Sequence, residues 1–90
     1  MHESGVVREL VARIEQVARA ERAGRVRTIR VWLGALSHMT ESHFLDHFRI
    51  ESAGSVAEGA EVEVELSEDI GDPNAQGVLL RSLDVEDLGA

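Results

Sequence analysis

From Ser4 to Arg22, the residues Val7, Leu10, Val11, Ile14, Val17 and Ala18 recur at helical spacing, opposite Arg8, Glu9, Arg13, Glu15 and Arg19. That period predicts an amphipathic helix with one buried stripe. Ser4 suits its N-cap and leaves the first three residues outside, while Ala23–Gly24 offers a left-handed stop. Arg25 to Leu33 changes period to two. Ile29, Val31 and Leu33 fall on one side, Thr28, Arg30 and Trp32 on the other, and Gly34 closes the strand. A turn over Gly34–Met39 leads to Thr40, an N-cap for a second helix reaching about Ser52, burying Phe44, Leu45 and Phe48 and ended by Gly54.

Ala60 to Ser67 alternates again, with Val62, Val64 and Leu66 inward and Glu61, Glu63 and Glu65 outward. A slip of one residue would bury three carboxylates, so the register is fixed. Glu68 to Gln76 contains the single proline, Pro73, between Asp72 and Asn74, and reads as a loop. Val78 to Glu86 forms a third strand with Leu79, Leu83 and Val85 on one face. The order α-β-α-β-β predicts an α/β two-layer sandwich, two helices on one face of a small three-stranded mixed sheet. The strand–helix–strand unit implies a right-handed crossover, hence parallel pairing if those strands are neighbours, and the loop-joined second and third strands are expected to run antiparallel.

Composition narrows the function. At 90 residues the chain is one small domain with a thin core. It has no cysteine, which excludes disulfides and thiolate metal sites. No apolar run approaches a membrane span and the start lacks a signal peptide's pattern, so no membrane is expected and the default compartment is cytoplasmic. The net charge of −8 argues against nucleic acid as a partner. The charge is uneven: all nine basic residues are arginine, eight of them precede Ile50, and the acidic excess follows it.

No dinucleotide fingerprint, P-loop, nucleophile elbow or HExxH motif occurs. What remains is histidine: His2, His38, His43 and His47. His43 and His47 stand four apart on the second helix and share a face, with Glu51 one turn on, so the row offers three ligands. A solvated polar face explains the same spacing, and is the simpler reading. His38 falls in a turn, as a surface or capping residue. His2 is distinguished by position. A histidine there can chelate through the Met1 amine, its own amide and imidazole, and the Glu3 amide, a tetragonal nitrogen set suited to nickel(II) and copper(II). An MH start alone also arises by chance.

The opening Met1-His2-Glu3, the first helix, VRTIRVWLGALSH, then GSVAEG (residues 54–59) and the glutamate-rich strand follow one family's order, and GVLLRSLDVED is similar to its closing segment. Over nearly its whole length the sequence resembles the HypA/HybF family of nickel metallochaperones, which serve hydrogenase and, in some bacteria, urease maturation. The resemblance implies transiently bound Ni(II), with Met1, His2 and Glu3 as metal ligands. It implies a hydrogenase-maturation GTPase or a hydrogenase large-subunit precursor as partner, and it carries nothing onto His43 or His47. Two departures stand out. The family's zinc lobe, with its two CxxC pairs, would lie between the second and third strands, where this chain has only the connection 67–77, so no zinc is expected. The acidic residue many members place near the start of the second helix is here Thr40, with Glu41 beside it.

The expectation is therefore binding and transfer of metal by a single domain, residues 1–90, and no enzyme. The alternative is an interaction or regulatory module that keeps the fold without delivering metal. Catalysis by His43, His47 and Glu51 ranks last, because no substrate pocket can be inferred.

Overall fold

The computed structural model describes residues 3–87. Its elements are α1 (Glu3–Ala20), β1 (Ala23–Leu33), α2 (Glu41–Ser52), β2 (Glu61–Leu66) and β3 (Val78–Asp87). The sheet is mixed, as the alternating segments predict, and both helices contribute to one core against it. Val7, Leu10, Val11, Ile14 and Ala18 of α1 join Phe44 and Phe48 of α2 over Val26, Ile29, Val31 and Leu33 of β1. Thr40 caps α2, its Oγ1 accepting from the His43 N–H at 3.1 Å. Gly54, just beyond the helix, takes φ 80°, the left-handed conformation for which glycine suits a helix end.

The strand order, which the alternation left open, is β2-β1-β3, with β1 parallel to β2 and antiparallel to β3, so β2 and β3 run antiparallel, as expected, without being neighbours. Charge favours this order. Pairing β2 with β3 would set Glu61, Glu63 and Glu65 beside Asp84 and Glu86, and like charges across a ladder are destabilising. Between them instead runs β1, with Arg25, Arg27 and Arg30. Arg30 reaches Glu63 on one side and Asp84 on the other, each at 3.1 Å, and Arg27 lies 3.7 Å from Glu86. Part of the uneven distribution of charge along the sequence is thus a basic strand flanked by two acidic ones.

Three smaller expectations change. Helix α1 begins at Glu3 rather than Ser4 and ends at Ala20, and the residue that turns left-handed is Arg22 (φ 56°), not Gly24. The Glu21 and Arg22 N–H groups close the last turn on Val17 O and Arg19 O, and the ladder then takes Ala23 and Gly24 into β1. On β3 the core residue is Leu80, not Leu79. The register pairs Val31 with Leu80 but Arg30 with Ser82, so Arg81 is a bulge and the inward phase shifts by one. Leu66, expected inward, is exposed at the end of β2.

The connection 67–77 is a succession of turns fastened to the carboxyl end of β1. Ser67 N–H donates to Leu33 O, and the Gly34 and Leu36 N–H groups donate to Gly77 O and Ala75 O, at 2.7–2.9 Å. Within it, Asp69 and Asp72 side chains accept from the Gly71 and Asn74 N–H groups, the local bonding that makes aspartate a turn residue.

Candidate metal centre

Met1 and His2, two of the three expected ligands, lie outside the described residues, as does the Glu3 side chain. The Glu3 backbone opens α1. The first N–H groups of an α-helix have no intrahelical acceptor, so the Glu3 amide can be given to a metal without breaking the helix ladder. The two-residue turn at Glu21–Arg22 reverses the chain between α1 and β1. Eighteen helical residues then span about 27 Å against about 36 Å for the strand. The first turn of α1 therefore returns toward the carboxyl end of β1.

At that end β1 and β2, being parallel, both stop, which is where open α/β sheets place their ligand crevices. A cleft of about 430 Å³ lies there, with Ser37, His38, Glu41 and Glu68 among its polar residues. His38 is exposed and held at φ 62°, a left-handed conformation in which histidine is uncommon. The Ser37 Oγ is buried without a hydrogen-bond partner. Among the described residues, no three His, Asp or Glu side chains gather closely enough to hold a metal ion.

The row on α2 is only partly assembled. Phe44 and Phe48 are 0% and 4% exposed and fix the rotation of the helix, which turns His43 and His47 outward with ring centroids 5.1 Å apart. Glu51 does not join them, because its carboxylate is held by the Arg8 guanidinium of α1 at 3.3 Å. Helical spacing identified the histidine pair. The partner that engages Glu51 comes from 43 residues away and leaves no local signal.

The fold itself is shared with solved HypA structures. It superposes on the solution structure of the Ni metallochaperone HypA from Helicobacter pylori with a TM-score of 0.79, at 20% identity, covering 97% of this chain and 99% of that one. A second HypA solution structure gives a TM-score of 0.72 at 23% identity, covering 94% and 96%. In sequence, the hydrogenase maturation factor HypA of Methylocella silvestris is 35% identical over 66 residues, 73% of this chain and 58% of the relative. That of Nitrosospira multiformis is 33% identical over 66 residues, 72% and 56%. The matches thus span less than two thirds of the length of these relatives. Residues 1–71 match the family described as hydrogenase/urease nickel incorporation, metallochaperone, HypA. The chain belongs to the HypA family.

Proposed function

We propose that this chain is a nickel-binding accessory protein for the maturation of a nickel enzyme of the hydrogenase type. The observation that carries the reading is the family match from residue 1, which takes in the Met1-His2-Glu3 start. In a chain with a free Met1 amine, Ni(II) is held by that amine, the His2 amide and imidazole, and the Glu3 amide. Coordination through deprotonated amides makes binding release protons and weaken on acidification. The protein makes and breaks no bond in a substrate; it binds an ion and gives it up, so it is not an enzyme. Its partner is a hydrogenase-maturation GTPase or a hydrogenase large-subunit precursor, met in the cytoplasm. No helix among the described residues is long and apolar enough to cross a membrane.

The chain acts as a single nickel-binding unit in which the connection 67–77 stands in place of a zinc lobe. The lack of cysteine supports this. The same feature favours a second reading, an interaction or regulatory module that no longer delivers metal. Transfer separates the two: nickel-loaded chain is mixed with the purified GTPase, the proteins are resolved by size, and metal is counted in each. Movement of nickel to the GTPase supports delivery. A complex in which nickel stays put, or never loads, supports the module.

A further inference from the structure

We propose that His43 and His47 form a second metal site on α2, a two-imidazole clamp for a divalent first-row transition ion whose other positions are filled by water. Two imidazoles bound to one ion at about 2.0–2.1 Å place their ring centroids about 4.5 Å apart at a right angle and about 5.2 Å apart at the tetrahedral angle. The observed separation is 5.1 Å, with the rings tilted by 38°. The separation falls within the range that a shared ion requires. Both residues sit on a regular helix anchored by Phe44 and Phe48, so the pair is presented by a rigid element.

The surroundings limit the site to two protein ligands. Glu51, the next residue on that face, is paired with Arg8, and Asp46 is 3.9 Å from Arg49. The net charge of −8 favours cations at the surface without supplying further ligands. Two ligands with open positions give weak, rapidly exchanging binding, in contrast to the chelate proposed at the N-terminus. This second site does not depend on that one.

The test uses the full chain carrying His2→Ala, titrated separately with Ni(II) and Cu(II) and followed by amide NMR and by thermal unfolding. Paramagnetic broadening should centre on residues 43–47. At free metal about five times the dissociation constant the unfolding midpoint should rise by roughly 4–8 °C. His43→Ala and His47→Ala, each alone, should remove both effects while leaving the helical circular dichroism intact. His47→Ala combined with Arg49→His keeps two imidazoles but moves one about 200° around the helix, and should also fail. Broadening elsewhere, or retention of binding in either single variant or in the relocated pair, would overturn the clamp. The N-terminal reading would be untouched, because His2 is absent from every protein tested.

Discussion

Gly34 and Ala75 meet backbone to backbone: a Cβ on Gly34 would run into the Ala75 carbonyl. The close approach lets the Gly34 and Leu36 N–H groups bond to Gly77 and Ala75, fastening the 67–77 connection across the end of β1. Gly34→Ala should therefore destabilise the fold by about 1–3 kcal/mol, the usual cost of forcing extra atoms into a packed site. Urea unfolding at equilibrium measures it. An unchanged midpoint would mean that the connection is not held as described.

The arrangement of a basic strand between acidic ones predicts an order of effects at Arg30. This guanidinium is exposed and its pKa is raised, first by the hydrogen bond to Asp84, then by the charges of Asp84 and Glu63. Arg30→Ala should lower stability only slightly, as the loss of exposed ion pairs does. Arg30→Glu should cost more, since it places a third carboxylate between two others. The gap between the two variants should narrow in 1 M salt, where the screening length falls to about 3 Å. Chemical denaturation of both variants with urea at low and high salt provides the comparison.

Glu51 is predicted to be structural and not a metal ligand. Glu51→Gln should change stability by less than about 1 kcal/mol, the Arg8 side chain being 71% exposed. It should leave the number of nickel equivalents unchanged in a calorimetric titration. Loss of an equivalent would place the carboxylate in a metal site and contradict the pairing with Arg8.

Removing metal should not unfold the protein. Every buried hydrophobic side chain in the core cluster packs against α1, α2 or the sheet, and the chain offers no thiolate set for zinc. Purified protein treated with a strong chelator should keep its unfolding midpoint to within a degree or so. A fall of several degrees would reveal a structural ion.

The local elements were legible because each rests on a short-range pattern: the 3.6 period of Val7 to Ala18, the Thr40 cap, the alternation around Val62 and Val64. What escaped was decided between distant segments. Strand order sets Arg30 between Glu63 and Asp84, residues 33 and 54 positions away, which no local pattern announces. The Arg81 bulge put Leu80 where strict alternation puts Leu79. Trp32, on the outward side of β1, is only 5% exposed, with the Arg81 guanidinium 5.6 Å from its ring, and alternation alone could not show that covering. At the candidate site, the histidine pair was readable from a spacing of four, whereas the pairing of Glu51 with Arg8 required the packing of α1 on α2.

The account turns on the N-terminal chelate, and nickel titration of an untagged chain with a free Met1 amine tests it most directly. Calorimetry should show one tight Ni(II) equivalent with proton release, since amides lose their N–H on binding. His2→Ala should abolish that equivalent and Glu3→Gln should largely spare it, because the ligand proposed at Glu3 is the backbone nitrogen. One extra residue before Met1 should be as damaging as His2→Ala, for it turns the amine into an amide and shifts the chelate ring. If the extended chain binds nickel as tightly as the chain starting at Met1, the amine is not a ligand and the proposed centre is wrong.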